Sequence, residues 1–327
     1  MKRILAAFAL LLVMAMLLLF PTEALTYTLT GLTLWFERMV PALFPFMMMS
    51  QLLICFRLIP IFLTLFRPLL KRLFFLPDAG LYCILTGFLC GFPMGAKNVA
   101  ELHSRGQLSR SQAQTLLNFC NQIGPVYFVS FAYPILHQIY PAFPLPAALF
   151  GMYGIPFCFG IREVARERKN SSKVESHTSQ RLAISGKAPE TTFDAIITGN
   201  LIAISRLAGY MMFFPVFLVL LEWLPEGFQQ TSVFLGWKAL AYLLLEITGG
   251  LAFLSRLAVE NVSALPVPPV ILVLIGMGAL QFGGLSCLFQ TKSMIGNTSL
   301  SLGDYFKARL KMTLLCVIFC AAASFCW

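Results

Sequence analysis

The sequence predicts an all-α polytopic membrane protein with two inverted-topology repeats, each containing a re-entrant helical hairpin and a broken transmembrane helix. Of the 327 residues, 58% are hydrophobic and only 12% are charged, a balance too apolar for the surface of a soluble domain. The mean hydropathy of +0.79 agrees, and several apolar runs approach the roughly 20 residues that a span requires. Glycine, proline or polar residues interrupt some of these runs near their centres in both halves, as in inverted repeats.

The net charge of +10 is explained by membrane topology. Much of the positive charge lies between Arg162 and Lys173 and in short clusters between apolar runs. Positive residues in such places hold loops on the cytoplasmic side of the membrane. The sequence therefore predicts the lipid bilayer as a partner and no nucleic acid.

Neither the cysteines nor the histidines suggest a metal site. Most of the nine cysteines lie inside apolar runs, no Cys-x-x-Cys pair occurs, and the three histidines are scattered, so we expect no metal or other cofactor. No Ser/His/Asp or paired-histidine arrangement stands out. The glycine and lysine spacing in Gly91 to Lys97 differs from that of a phosphate-binding loop. We therefore expect no enzymatic activity.

Residues 1–27 fit two interpretations. Lys2 and Arg3 precede an apolar run from Ile4 to Phe20, and Ala24 follows shortly after. This pattern fits a cleaved signal peptide, and it equally fits a first span that is never cut. Because many spans follow, we favour an uncut N-terminal transmembrane helix with its positive residues inside.

The first repeat is predicted to cover residues 28–161 and to begin with a span from Leu32 to Phe56. Pro41 and Pro45 are expected to kink this span. The basic cluster that follows marks the cytoplasmic side. The apolar stretch from Ile59 to Leu65 is too short to cross the bilayer and is expected to lie along the interface.

The next run, Leu81 to Leu102, is broken at its centre by Gly91 to Lys97. A full crossing would leave the arginines that follow outside, whereas a segment that dips in and returns keeps them inside. We therefore predict a re-entrant hairpin. A crossing from Ala113 to Tyr140 follows, broken at Asn121 to Pro125, and Ala142 to Ile161 then returns to the cytoplasm.

Residues 162–191 are polar, charged and rich in serine, which predicts a flexible cytoplasmic linker. The second repeat, residues 192–327, is predicted to follow the element order of the first repeat in the opposite orientation. Its elements are a span at Phe193 to Leu221, a hairpin at Phe234 to Leu257 broken at Glu246 to Gly250, a crossing at Val270 to Phe289 broken at Phe282 to Ser286, and a last span at Met312 to Trp327.

The interrupted segments predict a binding site at mid-membrane. Backbone freed by a break must face protein or a water-filled cavity. We expect helices restarting at Gly95 and Gly250 to direct unpaired N–H groups at an anion, with Lys97 nearby. The predicted substrate-binding residues share a position at or beside the breaks: Gly91, Pro93, Gly95, Lys97, Asn121, Gln122, Gly124, Pro125, Glu246, Thr248, Gly249, Gly250, Gly283, Gly284, Ser286 and Gln290.

Glu246 follows three leucines and is expected to lie deep in the membrane, where an ionisable group usually has a function. Two roles stay open for it. It carries a coupling proton, or it neutralises Lys97 or Arg206. The sequence leaves the coupling ion open between a proton and Na⁺, and it leaves formation of a homo-oligomer open as well.

Five motifs give the chain a resemblance to the sporulation integral membrane protein family YlbJ (SpoVV), a family of Gate or nucleoside-recognition membrane proteins. The likeness extends over nearly the whole chain. Two departures from the family pattern are Phe92, where a tyrosine is common, and Gln122, where a second asparagine is common. The motifs are GLTLWFERMVPALFPF at Gly31 to Phe46, GFPMGAKNVAEL at Gly91 to Leu102, LLNFCNQIGPVYF at Leu116 to Phe128, LLEITGG at Leu244 to Gly250, and FGGLS at Phe282 to Ser286.

The resemblance implies a role in endospore formation, in which dipicolinic acid leaves the mother cell toward the forespore. It also implies a multi-pass protein of the mother-cell or outer forespore membrane and a kinship with concentrative nucleoside carriers. Two other hypotheses stay open. The chain is a carrier of nucleosides or other small metabolites, or it is a membrane scaffold for sporulation partners that transports nothing.

Overall fold

The computed structural model describes residues 2–174, 192–229, 231–261 and 267–324, and the regular structure of these residues is entirely helical. Short π-helical turns at Trp35–Met39, Phe128–Ala132 and Phe150–Gly154 and a 3₁₀ turn at Phe217–Leu221 join some of the helices. The helices are α1 Lys2–Leu19, α2 Pro21–Leu34, α3 Val40–Cys55, α4 Ile59–Phe62, α5 Arg67–Phe74, α6 Asp78–Cys90, α7 Met94–Ser104, α8 Arg110–Cys120, α9 Pro125–Tyr127, α10 Tyr133–Ile139, α11 Leu145–Leu149, α12 Ile155–Val174, α13 Phe193–Val216, α14 Glu226–Gln229, α15 Ser232–Leu245, α16 Ile247–Asn261, α17 Pro269–Phe282, α18 Gly284–Ile295 and α19 Leu302–Ser324.

Several helices are suited to a membrane. Within the described residues, four continuous helical stretches are long and apolar enough to cross a bilayer: Pro21–Cys55, Leu145–Lys169, Phe193–Leu221 and Pro269–Ile295. A bent pair, α5 and α6, adds a fifth candidate at an angle of 105°. Large side chains such as Phe213 and Leu314 stay more than half exposed on their helices, as expected where lipid replaces water. The chain is therefore an all-α polytopic membrane protein.

The span predicted from Leu32 begins earlier, at Pro21. Helices α2 and α3 join through a π-helical turn into a single helix of 35 residues. The polar residues ahead of Leu32 do not end the helix, because the hydroxyls of Thr26, Thr28 and Thr30 donate hydrogen bonds of 2.8 to 2.9 Å to carbonyl oxygens one turn earlier. A threonine that bonds in this way is tolerated inside a helix.

The linker predicted for residues 162–191 is helical in its first part. Helix α12 runs on to Val174, and its side chains pack on the protein: Val164 is buried, and the Arg168 guanidinium lies 4.9 Å from the centre of the Phe75 ring. The prediction of a flexible linker is therefore wrong for residues 162–174. Residues 175–191 lie outside the described residues.

The last helix also starts earlier than predicted, at Leu302 rather than Met312. Its first turns are amphipathic, with Tyr305, Arg309 and Met312 buried on one side and Lys307 and Lys311 exposed on the other. Because the last span was predicted to begin at Met312, these three basic residues would precede it. Instead they belong to the helix, and Arg309 faces the protein interior.

Both predicted hairpins have two helices packed side by side. In the first hairpin, the Asn98 amide of α7 donates to the Thr86 hydroxyl of α6 at 2.9 Å. In the second hairpin, the rings of Tyr242 on α15 and Phe253 on α16 lie 6.2 Å apart. The breaks between the helices fall at residues 91–93 and at Glu246, as predicted. It stays a prediction that each hairpin is re-entrant, entering and leaving the membrane on the same side.

The helix breaks predicted within the two crossings also appear where they were predicted, and that α8 to α10 cross the membrane stays a prediction. Helix α8 ends at Cys120, and the chain restarts as α9 at Pro125. Helices α17 and α18 meet at Gly283, whose φ of 92° suits glycine and few other residues. Here the two helices keep one overall direction, so Pro269–Ile295 counts as a single continuous stretch.

The two halves pack on each other reciprocally. Helix α7 of the first hairpin contacts α18 of the second broken crossing, and α16 of the second hairpin contacts α10 of the first broken crossing. In each half the last long helix covers the first part of the broken crossing, α12 on α8 and α19 on α17. These matching contacts are compatible with two repeats related by a twofold axis. The opposite orientation of the repeats stays a prediction.

Close contact between α6 and α8 depends on a small residue at position 87. A Cβ atom added to Gly87 would lie 2.9 Å from the Cys120 carbonyl carbon, whereas a Cβ added to Gly209 on α13 would meet no atom within 4 Å. Backbone atoms cannot move aside as a flexible side chain can. We therefore expect Gly87→Ala to cost about 1–3 kcal/mol of stability.

The measurement is the melting temperature of the monodisperse protein in detergent. Gly209→Ala, the same substitution at an open helical position, should melt at or slightly above the wild-type temperature. Equal melting temperatures for the two variants would contradict the close packing of α6 on α8.

Candidate functional site

The helix breaks of both halves meet around one cavity of about 60 Å³, which is room for a few water molecules. Residues from the breaks form one wall, and residues of α3 and α13 form the other. The break residues and their neighbours in this wall are Cys90, Phe92, Ile123, Gly124, Glu246, Ile247, Thr248, Cys287 and Gln290.

Glycines allow the breaks to approach one another at the backbone. A Cβ atom on Gly91 would lie 2.7 Å from the Gly124 Cα, and one on Gly284 would lie 3.2 Å from the carbonyl oxygens of Leu243 and Leu244. A Cβ atom added to Gly283 would lie 3.2 Å from the Phe92 ring. These predicted site residues are therefore brought together, and most of them shape the backbone rather than offer a side chain.

The expected free N–H groups at the helix starts are bonded within the chain. The Asn121 side-chain oxygen accepts from the Ala96 N–H at 3.1 Å. The Glu246 carboxylate accepts from the N–H groups of Thr248 at 3.0 Å and Gly249 at 2.6 Å. The expectation that α7 and α16 offer these N–H groups to an anion is therefore wrong, because side chains at the breaks cap both helices.

Lys97 lies beside the cavity wall rather than in it. Its ammonium group donates a hydrogen bond to the Asn200 side-chain oxygen on α13, and it is absent from the cavity lining. No ion pair among the described residues joins Glu246 to Lys97 or to Arg206, and Arg206 instead donates to the Ser293 hydroxyl at 3.4 Å. Glu246 thus has no direct ion pair with either residue in the structure, and its two open roles stay predictions.

The polar groups of the cavity come mainly from the second half. The Glu246 carboxylate is 3% exposed, and beside it the Tyr127 hydroxyl donates to Thr248 Oγ1 at 3.3 Å. Within α18, which follows the break at Gly283, the Gln290 amide donates to the Ser286 hydroxyl at 2.9 Å. A carboxylate, hydroxyls and an amide thus face a mostly apolar space, an arrangement typical of small-molecule sites.

The remaining predicted residues lie next to the cavity but are not among its described lining residues. Asn121 donates to Thr291 Oγ1 at 2.9 Å and to the Tyr305 hydroxyl at 3.3 Å. Gln122 donates to the Phe119 carbonyl at 2.8 Å. Pro93, Gly95, Pro125, Gly249 and Gly250 lie within the first turn of, or immediately before, the helices that restart after the breaks.

The sequence interpretation missed a buried cation at this site. Arg309 is 0% exposed, and its Nη1 donates to Gln122 Oε1 at 2.8 Å. A signal was available in the spacing, because Tyr305, Arg309, Met312 and Cys316 fall on one helical face. Asn98, Asn200 and Gln281 are also fully buried polar residues near the breaks, and none of them was among the predicted site residues.

Asn121 should matter for stability more than its neighbour Asn118 on the same helix. Asn121→Ala leaves the buried Ala96 N–H without an acceptor and removes both bonds to the second half, so we expect a loss of about 1–3 kcal/mol. Asn118→Ala removes a bond to Gln114 alone and should lower the melting temperature in detergent much less. A smaller loss for Asn121→Ala than for Asn118→Ala would contradict the capping role.

Comparison with known proteins agrees with the motifs. The chain is 34% identical over 107 residues to the sporulation integral membrane protein YlbJ of Bacillus subtilis (strain 168), an alignment that covers 33% of this chain and 26% of that protein. The aligned part thus spans about a quarter of the relative's length. No family model and no solved structure matches the chain. Over that third of the chain, the resemblance to the YlbJ family that the motifs indicate is confirmed.

Proposed function

We propose that this membrane protein transports a small anionic metabolite. The observation that carries the proposal is the meeting of interrupted helices from both halves around one cavity. Interrupting a helix inside a bilayer is costly, and known transporters accept that cost where the freed groups line a substrate site. The buried Glu246 in this lining gives the cavity an ionisable group, which is the other usual mark of a transport pathway.

The proposed mechanism is alternating access. At about 60 Å³ the cavity holds only a few water molecules, so a metabolite enters only after the walls separate. One wall consists of break residues and the other of α3 and α13 residues such as Leu43 and Leu207. We propose that the halves are inverted repeats that rock against each other and open the cavity to one side at a time.

Dipicolinate is the substrate that we propose. The family resemblance implies this flat dicarboxylate, and the name of the relative from Bacillus subtilis places that protein in sporulation. We propose that the chain lies in the mother-cell or outer forespore membrane and moves dipicolinate toward the forespore. Glu246 would carry a proton with each substrate, because a neutralised carboxylate removes the repulsion between it and an incoming anion.

A second candidate is a carrier of neutral polar metabolites such as nucleosides. The lining of the cavity favours it, since Glu246, Thr248 and Gln290 offer hydrogen bonds and the described lining residues include no lysine or arginine. A carboxylate and an amide suit hydroxyls and ring nitrogens better than they suit a dianion. The two candidates therefore differ in the charge of the substrate.

Transport in proteoliposomes separates these candidates. We expect uptake of radiolabelled dipicolinate to rise with an inward proton gradient in the wild type and to lose that dependence in Glu246→Gln, because the amide cannot be protonated at working pH. Glu37→Gln, the same change at an exposed position, should behave as the wild type. Uptake of a nucleoside but not of dipicolinate would favour the second candidate, and uptake of neither would sink the transport proposal.

Spore composition tests the proposed role in the cell. In a spore-forming host without a second copy, deletion of the gene should lower the dipicolinic acid content of spores severely and raise that of the mother cell. We expect the wild-type gene, but not the Glu246→Gln variant, to restore the dipicolinic acid content of purified spores. If Glu246→Gln restores full loading, the chain acts as a scaffold rather than as the carrier.

A further inference from the structure

Arg309 of α19 is a buried charge without a charged partner. Its side chain is 0% exposed, and none of the ion pairs within the described ranges includes it. Buried charges are normally paired, because removing them from water is costly. An ionisable side chain inside a membrane protein that faces the interior usually marks a substrate pathway. Arg309 therefore requires a functional explanation.

The guanidinium group lies where two helix breaks meet. Nη1 donates to Gln122 Oε1 at 2.8 Å, and Nε points at the Phe282 carbonyl oxygen at 3.4 Å. Nη2 meets no acceptor in the part of the chain that the structure describes. Arginine has five N–H donors, so the two N–H groups of Nη2 remain available for a ligand.

An aromatic ring separates this cation from the cavity. The Phe92 ring lies over the guanidinium, with its centre 4.9 Å from the Arg309 Cζ, and Phe92 is also one of the residues that line the cavity. Phe92 belongs to the break between α6 and α7 rather than to a helix. A change in this short segment would uncover the guanidinium on the cavity side.

We propose that Arg309 binds a carboxylate of the transported substrate, and that the Phe92 ring covers it when the cavity is closed. A guanidinium suits this task, since its planar donors match the two oxygens of a carboxylate. The ring gives the cation a weak partner through its π-face, and an anion is a stronger one. This inference rests on the proposed transport of an anion, and it places the positive charge at Arg309 rather than at Lys97 and the helix ends.

Binding of dipicolinate to the purified full-length protein, measured by calorimetry in detergent, tests the assignment. Arg309→Lys keeps the charge but loses the planar fork, and we expect dipicolinate to bind about tenfold more weakly or worse. Lys311→Gln removes a positive charge from an exposed position of the same helix and should bind dipicolinate as the wild type does.

A second variant covers the case in which Arg309→Lys does not fold. Gln122→Glu puts a carboxylate next to Arg309 Nη1. We expect the stabilisation from this new ion pair to offset the loss of the hydrogen bond to the Phe119 carbonyl. We expect this variant to run as a monodisperse peak and to bind dipicolinate at least about tenfold more weakly, because its own carboxylate competes for the guanidinium.

The outcomes separate this inference from the proposed function. If the wild type does not bind dipicolinate, the proposed substrate is wrong and the inference falls with it. If the wild type binds but folded Arg309→Lys or Gln122→Glu binds equally well, Arg309 is not the carboxylate site and the proposed function stands. Phe92→Leu should bind dipicolinate at least as tightly as the wild type, and clearly weaker binding would show that the ring holds the substrate rather than covers Arg309.

Discussion

The interrupted backbone is the constraint on which the rest of this structure depends. In a bilayer a broken helix exposes N–H and C=O groups that lipid cannot satisfy. The chain satisfies them from its own breaks: Asn121 accepts from Ala96, and Glu246 accepts from Thr248 and Gly249. The bond from Ala96 to Asn121 joins the two breaks of the first half, and the Asn121 amide joins them to α18 of the second half through Thr291.

This internal capping decides which groups are left for a ligand. The helix starts that would have attracted an anion are occupied, and Lys97 is engaged by Asn200. Among the described residues, the Glu246 carboxylate lines the cavity and the Arg309 guanidinium lies behind Phe92, which also lines it. A site with one charge of each sign is neutral overall. Protonation of the Glu246 carboxylate therefore leaves the site with a net positive charge, which suits an anion better.

The sequence predicted features that local residues determine and missed those that depend on packing. Glycine, proline and polar residues within apolar runs located the breaks at residues 91–93, 121–124, 246 and 283, because such residues favour the end of a helix over its interior. Glycine and proline alone are not sufficient, since Pro45 and Pro215 lie inside helices. The length of α2 was missed, since it depends on hydroxyls of residues such as Thr28 bonding within the helix. The depth of Arg309 was missed because basic residues near the start of a span are usually cytoplasmic.

The side chain of Asn121 connects this capping to the proposed motion. Its oxygen holds α7 of the first half, while its amide donates to Thr291 on α18 and to Tyr305 on α19 of the second half. A rocking motion that separates the halves at this point has to break the last two bonds, at a net cost of about 0.5–1.5 kcal/mol for each. Interactions of that size are weak enough for a bound substrate to offset. Tyr305 is one turn from Arg309 on the same face of α19, so in the proposed motion the helix that loses a bond to Asn121 is also the helix that carries the cation. We propose that opening of the halves and exposure of the charge are coupled in this way.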